Sequence, residues 1–160
     1  MNDIPNVRNY LIDHSGLDWA HLLSEWAHEL PDRLTVWLMN RFGDLFLAFP
    51  DGSIHILDLG GDTLRKLAEN REDFCNKIDE DDNVDDWLMI PLVNNLVNAG
   101  MCLHAGQCYS FKLPPILGGD YAMANAFVLG IVEHFAFYGD VHRQLRDVPD
   151  GAKVILEVKD

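Results

Sequence analysis

A short hairpin motif near residue 50 constrains the fold of this chain more than any other feature. Residues 45–49 (Leu-Phe-Leu-Ala-Phe) and 54–59 (Ile-His-Ile-Leu-Asp-Leu) are apolar segments of strand length, and Pro-Asp-Gly-Ser at 50–53 separates them. Pro, Asp and Gly supply the backbone dihedral angles that a tight turn needs. The motif therefore predicts a strand, a turn and a second strand that returns antiparallel to the first.

The rest of the chain alternates between short apolar segments and stretches with helical spacing. Further strands are predicted at 34–39, 107–113, 125–128 and, after a turn at 149–151, at 153–158. Helical spacing predicts helices at 19–30 behind a capping pattern of Ser15 and Asp18, at 62–68 behind Asp62, at 74–78, at about 86–100 behind Asp85 or Asp86 with a break or kink at Pro91, and at 131–145. Such runs predict one α+β domain over residues 1–160: a helical segment (1–36), then a body (37–160) with a mostly antiparallel twisted sheet and helices packed around it.

The chain is strongly acidic. Its 12 Lys and Arg stand against 26 Asp and Glu, a net charge of −14, and residues 78–111 contain no Lys or Arg. Such a field repels nucleic acid and anionic membranes and speeds encounter with basic proteins. We therefore expect a basic protein partner, no nucleic acid and no membrane.

Six acids are concentrated in residues 79–86, called here the acidic segment: Asp79, Glu80, Asp81, Asp82, Asp85 and Asp86. These six are the predicted partner-binding residues. A solvated loop that caps a helix is the alternative interpretation. Calcium binding is not expected, because the segment lacks the alternating acids, the turn Gly and the distal Glu of an EF-hand loop.

The sequence predicts a cytoplasmic protein. The first residues, Met-Asn-Asp-Ile-Pro, show neither the basic nor the apolar region of a signal peptide, and no apolar run approaches the roughly 18 residues of a membrane span. The three Cys are scattered and odd in number, which suits a reducing compartment.

No catalytic, metal or cofactor site is predicted. His21 and His28 are seven residues apart, too far to share a metal as an i, i+4 pair does, and are expected at the surface or its boundary. The segment 102–108 (Cys-Leu-His-Ala-Gly-Gln-Cys) matches no standard zinc pattern. The enzymatic alternative is a small hydrolase that uses His55, Asp44, Asp58 or Cys108 in a cleft, and it needs those groups to converge.

Three stretches together resemble a known bacterial family: Trp-Leu-Met-Asn-Arg-Phe-Gly-Asp (37–44), Tyr-Ser-Phe-Lys-Leu-Pro-Pro-Ile-Leu-Gly-Gly-Asp-Tyr (109–121) and Gly-Asp-Val-His-Arg-Gln-Leu-Arg-Asp-Val-Pro-Asp-Gly (139–151). The family was long known only as a domain of unknown function. It includes the C-terminal domains of type VI secretion immunity proteins, which neutralise a toxic DNase effector. The resemblance runs from about Trp37 to the end. More distantly, the layout is similar to Smi1/Knr4-type immunity domains.

The resemblance implies a non-catalytic α+β domain that acts by binding a toxin. It also implies mainly structural roles for the residues of the family motifs: Phe42, Gly43, Asp44, Lys112, Pro114, Pro115, Gly118, Gly119 and Asn125. The immunity proteins of this kind carry a separate N-terminal domain, whereas about 36 residues precede Trp37 here. The remaining alternative is an acidic domain that mediates assembly through an apolar patch, and self-association is left open.

Overall fold

The computed structural model describes residues 7–146 and 148. Four antiparallel strands form one sheet in the order β1 (Thr35–Met39), β2 (Leu45–Ala48), β3 (Ile54–Asp58) and β4 (Thr63–Ala68). A second sheet pairs β5 (Gln107–Phe111) with β6 (Ala126–Gly130). The helices are α1 (Trp19–Leu22), α2 (Arg71–Ile78), α3 (Asn83–Trp87), α4 (Ile90–Asn98) and α5 (Ile131–Leu145), with short 3₁₀ turns at Val7–Tyr10, Ser24–Trp26, Pro115–Leu117 and Met123–Asn125. The predicted α+β single-domain fold with antiparallel sheets is confirmed.

The central hairpin forms as predicted. β2 and β3 pair antiparallel, with Leu45 opposite Leu57 and Ala48 opposite Ile54. In the turn, Gly52 has a φ of +90°, a conformation that glycine adopts without a steric cost. The Asp51 carboxylate accepts a hydrogen bond from the backbone N–H of Ser53 at 2.9 Å.

The segment after this hairpin is a strand, so the predicted helix capped by Asp62 is wrong. Leu64, Leu67 and Ala68 have helical spacing, but six residues are too few to distinguish the helical from the strand period. β4 pairs antiparallel with β3, and Asp62, with a φ of 53°, lies in the turn between them. Pairing with β3 supplies the backbone hydrogen bonds that a helix would have supplied internally.

The predicted first helix is broken into two short pieces, α1 and the 3₁₀ turn Ser24–Trp26. Asp18 caps α1, because its carboxylate accepts a hydrogen bond from the backbone N–H of His21 at 3.2 Å. Ser15 takes no part in the cap and bonds instead to Asp13. The apolar stripe is buried as its spacing suggested, at Leu22, Leu23 and Trp26. The pattern thus predicted the burial but not the helix length.

The helix predicted over about 86–100 is two helices, α3 and α4, and neither Asp85 nor Asp86 caps it. Both acids lie inside α3. Met89, in a left-handed conformation with φ 53°, separates the two helices. Pro91 falls in the first turn of α4, where its missing N–H costs no helical hydrogen bond. Of the break or kink predicted at Pro91, the structure shows the break, and α4 begins one residue before the proline.

The core of the described residues contains three clusters with aromatic side chains, and two of them position helices. On one side, Phe135 of α5 contacts Trp19 and Trp26 edge-on, with ring centroids 5.4 and 6.3 Å apart. On the other, Phe74 of α2 stacks on Trp87 of α3 with centroids 5.2 Å apart. The second cluster fixes the positions of α2, which precedes the acidic segment, and of α3, which contains its last residues.

The other predictions differ from the structure only in their end residues. β1, β5, β6, α2 and α5 all lie where strand or helix was expected. The predicted turn at 149–151 and strand at 153–158 lie outside the described residues. Among the helices of the described part, none is long and apolar enough to cross a membrane.

Candidate functional site

The acidic segment begins at the end of α2 and includes most of α3. Asp79 is the residue after the last turn of α2, and Asp82 directly precedes α3. The Asn83 side-chain amide donates a hydrogen bond to the Lys77 carbonyl oxygen at 2.7 Å, which ties the two helices together. Asp81 has a φ of 49°, which completes the tight connection. Short helix ends with buried aromatic anchors therefore hold the carboxylates in place.

Most of these carboxylates face solvent without a cation beside them. All of the six are exposed except Asp85, which is partly buried. Asp86 lies 3.5 Å from the Arg65 guanidinium, and both side chains are more than half exposed, so this pair contributes little to stability. Lys77, the nearest lysine in sequence, pairs with Asp73 at 3.1 Å. Within the described residues, none of the other five acids of the segment is in an ion pair.

The motif at 42–44 is built around the buried Asn40. The Asn40 side-chain oxygen accepts hydrogen bonds from the backbone N–H groups of Phe42 and Asp44 at 2.9 and 3.0 Å. Its amide donates to the Trp87 carbonyl at 3.0 Å and to the Asp44 carboxylate at 3.2 Å. Gly43, with φ +76°, has no room for a side chain, since a Cβ would lie 2.6 Å from Nε2 of His134. Asn40 thus connects the β1–β2 turn to the end of α3.

A buried carboxylate, Asp44, and a partly buried one, Asp58, interact near this motif. Asp44 accepts a hydrogen bond from the backbone N–H of Leu59 at 3.0 Å, and Asp58 accepts one from Gly61 at 3.1 Å. Burial, and then the charge of Asp58, raise the pKa of Asp44 well above its usual value. Burial also raises the pKa of Asp58. Each carboxylate is engaged by a separate turn of the backbone.

The groups proposed for a hydrolase do not form a catalytic set, although the charge of Asp58 acts on Asp44 and the charge of Asp44 acts on the Cys108 thiol. His55 stacks on Phe49 with ring centroids 3.7 Å apart and bonds to the Ser53 hydroxyl at 2.9 Å, so its partner is not a buried carboxylate. Cys108 is buried, and desolvation raises the pKa of its thiol, which opposes the nucleophilic thiolate. Within the described part of the chain, these residues form no nucleophile–base pair.

The motif at 112–125 folds into a loop held closed by Asn125. The Asn125 side chain accepts a hydrogen bond from the Leu113 N–H and donates to the carbonyl oxygens of Leu113 and Asp120, each at 2.9 Å. The Lys112 N–H donates to the Asn125 carbonyl at 2.7 Å. At Gly119 a Cβ would overlap the Leu113 carbonyl oxygen. The remaining motif residues complete the turn: Pro114 is buried, Pro115 begins the 3₁₀ turn, and Gly118 has φ +97°.

This closed loop exposes four large apolar side chains. They are Leu113, Ile116, Tyr121 and Met123, which are 45–55% exposed. Tyr121 also packs edge-on against Phe111, with centroids 5.3 Å apart. Burial, and then the charges of Asp58, Asp44 and Asp86, raise the pKa of Tyr121 to about 12. The loop therefore places an apolar surface within reach of the negative field around Asp86.

A second cluster of titratable groups joins the N-terminal segment to α5. His142 is 7% exposed, and its Nδ1 lies 2.6 Å from Oδ1 of Asp62. Its Nε2 lies 3.0 Å from Oε2 of Glu29, and Nε2 of His28 lies 3.6 Å from Oε1 of Glu29. The hydrogen bond to Asp62 and the neighbouring carboxylate charges raise the pKa of His142. Sequence reasoning compared His28 with His21 and missed this cluster, because His142 is distant in the chain.

Comparison with known families identifies one match. Residues 68–142 match the model of the family described as T6SS immunity protein Tdi1, C-terminal. The resemblance to type VI secretion immunity domains inferred from the sequence motifs is thereby confirmed, although the match begins at Ala68 rather than at Trp37. The matched residues include the acidic segment and the 112–125 loop. No curated protein sequence matches the chain.

Proposed function

We propose that this protein is an immunity protein that neutralises a toxic, nuclease-like effector of a type VI secretion system by binding to it. The match of residues 68–142 to an immunity-protein family carries the proposal. Two observations support a binding protein over an enzyme: His55 bonds to the Ser53 hydroxyl rather than to a carboxylate, and burial raises the pKa of the Cys108 thiol.

The acidic segment is the proposed contact with the effector. A nuclease needs a basic surface to bind the phosphates of its substrate. Five carboxylates of the segment without an ion-pair partner in the described structure would complement such a surface and compete with the nucleic acid for it. Charge complementarity of this kind mainly raises the association rate and depends strongly on salt.

The apolar side chains of the 112–125 loop would supply the slow dissociation. Affinity in protein interfaces comes mainly from a few aromatic and large apolar side chains in the desolvated centre. Tyr121 is 55% exposed and lies within the field of Asp86, so one partner could cover both surfaces. We therefore infer a composite interface, in which the acids steer the partner and the loop retains it.

The test begins with the partner itself. The tagged protein is used to capture proteins from its native lysate at low and at high salt, and mass spectrometry identifies what is retained. The captured protein is then expressed in bacteria with and without the immunity protein. We expect growth to be arrested by the captured protein alone and restored by co-expression. Growth that is arrested equally in both cultures would overturn the proposed function.

Two variants of equal net charge test whether the acidic segment contacts the effector. The triple variant Asp79→Asn, Glu80→Gln, Asp82→Asn changes the net charge from −14 to −11. A control with three other exposed acids neutralised, at Asp32, Glu72 and Glu133, has the same net charge. By biolayer interferometry with the purified partner at low salt, we expect the association rate to fall about tenfold in the first variant and much less in the control. Equal rates and equal salt dependence in both variants would exclude the acidic segment as the contact.

A second candidate function is assembly through the apolar loop surface. The concentration of exposed apolar side chains in one loop favours it, since such patches mark interaction sites. Light scattering of the wild type and of Leu113→Ser/Met123→Ser tests this candidate, with Val97→Ser as a control at an exposed apolar site elsewhere. A homo-oligomer that only the double variant dissociates would favour assembly. A monomer at all concentrations would remove this candidate.

A further inference from the structure

We propose that His28, Glu29 and His142 form a binding site for a divalent transition-metal cation such as Zn²⁺, with Asp62 holding His142 in position. One ligand atom from each of the three residues lies within 4.8 Å of the other two. Two imidazole nitrogens and a carboxylate oxygen are a donor set that zinc uses in proteins. The site shares no residue with either surface assigned to the effector.

The distances fit a tetrahedral ion with little rearrangement. Zinc bonds to nitrogen and oxygen at about 2.0–2.2 Å, which places neighbouring ligand atoms of a tetrahedron about 3.4 Å apart. Here Oε2 of Glu29 lies 3.0 Å from Nε2 of His142, and the other carboxylate oxygen, Oε1, lies 3.6 Å from Nε2 of His28. One ligand atom from each residue lies within 4.8 Å of the others, so the side chains must move closer together around the ion. The His28 and Glu29 side chains are 46% and 41% exposed, so both can rotate by the small amount that is needed. Their exposure also leaves the fourth position open to water.

His142 is the fixed ligand. It is buried, and within the described residues its Nε2 makes no hydrogen bond of acceptable geometry, although Glu29 lies 3.0 Å away. With one ring proton assigned to Nδ1 by the bond to Asp62, Nε2 is left without a hydrogen-bond partner in the described part of the chain, 3.0 Å from a Glu29 carboxylate oxygen. A metal ion bound to both atoms would use this unpartnered nitrogen as a ligand. A carboxylate behind a ligating histidine is also the usual arrangement around protein-bound zinc.

Packing restricts the ring before any ion binds. The Trp26 ring stacks on His142 with centroids 5.3 Å apart and an interplanar angle of 23°. The His28 ring stacks on it from 6.1 Å at 30°. A bound ion would therefore tie the N-terminal segment to the last turns of α5. Its role would be structural, and it would stabilise the folded chain by mass action.

Isothermal titration of the untagged full chain with zinc chloride tests the proposal. The exposed thiols Cys75 and Cys102 are first replaced by Ser in all variants, so that they do not bind the metal. We expect one zinc ion per chain, and at least a tenfold loss of affinity in His28→Ala and in Glu29→Gln. His21→Ala, an exposed histidine of α1, is the matched control and should bind zinc as the parent does.

Two further measurements separate ligation from folding. Asp62→Asn keeps the size of the side chain and tolerates the φ of 53°, and we expect it to weaken zinc binding about tenfold. Zinc at about 100 times its Kd should raise the melting temperature of the parent by about 5–10 °C and leave that of His28→Ala nearly unchanged. Circular dichroism confirms that each variant is folded.

Two results of the zinc titrations would contradict the proposed site. Zinc affinity that is unchanged in both His28→Ala and Glu29→Gln would overturn the proposal. The absence of binding at millimolar zinc would also overturn it. That result would mean that a proton on Nε2 of His142, rather than a metal ion, lies between His142 and Glu29. Neither result bears on effector neutralisation, because growth rescue is measured independently.

Discussion

Asn40→Ala should be among the most destabilising single substitutions in this protein. Asn40 is fully buried and takes part in four side-chain hydrogen bonds, two as acceptor and two as donor. Alanine removes them all. It leaves the N–H groups of Phe42 and Asp44 and the carbonyl of Trp87 buried without these partners.

The magnitude follows from the count of lost bonds. A typical hydrogen bond contributes about 1 kcal/mol net, and an unsatisfied buried group costs about 1–3 kcal/mol. Because relaxation or water recovers part of this, we expect a loss of about 3–5 kcal/mol in the free energy of unfolding. That is a large fraction of the roughly 5–15 kcal/mol of a whole domain.

Urea unfolding followed by tryptophan fluorescence measures this loss. Asn98→Ala, the same substitution at an exposed position of α4, should change the unfolding free energy by less than about 0.5 kcal/mol. A loss below about 1 kcal/mol in Asn40→Ala would refute the assigned hydrogen-bond network.

Asn40→Asp gives an independent check of the same network. An aspartate keeps the two acceptor bonds but places a second carboxylate beside Asp44, whose pKa burial already raises. The crowded acids bind a proton more tightly in the folded than in the unfolded state, so the stability of this variant should fall as the pH rises. The expected result is a recovery of stability on acidification from pH 7 toward 5 that is larger than in Asn40→Ala, which keeps only the raised pKa of Asp44.

Three further predictions concern the loop, a buried base and the thiols. Gly119→Ala should lower the free energy of unfolding by about 2–4 kcal/mol, because its Cβ overlaps a backbone carbonyl. Gly118→Ala, which has open space but a φ of +97°, should lower it by only about 1–2 kcal/mol. Chemical denaturation compares the two variants, and equal losses would refute the overlap. Burial lowers the pKa of His134 to about 3, so wild-type stability should fall by about 2–3 kcal/mol between pH 6.5 and 4.5 from this group alone. Denaturation at both pH values should show that His134→Gln loses this part of the pH dependence and that the exposed-site control His21→Gln does not. Thiol titration with Ellman's reagent should count two fast thiols, with Cys108 reacting only after unfolding.

The fold was predictable where local chemistry and tertiary contacts agree. The Pro-Asp-Gly-Ser turn specifies the β2–β3 hairpin by itself. The apolar residues between Ile131 and Leu145 have helical spacing, and packing of one helix face is enough to stabilise α5. At 63–68 the local pattern was ambiguous, and pairing with β3 decided for a strand. Before α4, Met89 adopts a left-handed conformation that its residue type disfavours, so the boundary was signalled only by Pro91, a residue type that favours the first turn of a helix.

The candidate sites also differ in how far the sequence alone could predict them. The acidic segment was visible because its residues are contiguous, although its role as a contact stays a prediction. The apolar surface of the 112–125 loop was less visible, because exposure depends on how Asn125 closes the loop. The His28–Glu29–His142 cluster was invisible, since its members belong to segments that only the tertiary fold brings together.

The effect of the acidic segment on stability separates its two interpretations. If the acids serve to stabilise the helices, neutralising them should destabilise the protein. Asp82 precedes the N-terminus of α3, where a negative charge is worth about 0.3–1 kcal/mol, but its side chain makes no capping hydrogen bond. Asp79 follows the C-terminus of α2, where a negative charge is unfavourable by a similar amount, and the clustered carboxylates repel one another.

The favourable effect of the Asp82 charge is smaller than the combined unfavourable effects of the Asp79 charge and of the repulsion among the carboxylates. We therefore expect the free energy of unfolding of the variant Asp79→Asn/Glu80→Gln/Asp82→Asn to equal that of the wild type or to exceed it by up to about 1 kcal/mol. The gain should shrink in about 1 M salt, where the screening length falls to about 3 Å. Urea titrations at low and high salt measure both effects. A loss of more than about 1 kcal/mol would mean that the acids support the fold. A variant that is as stable as the wild type but associates more slowly with its partner would mean that the acids are kept, against their mutual repulsion, for binding.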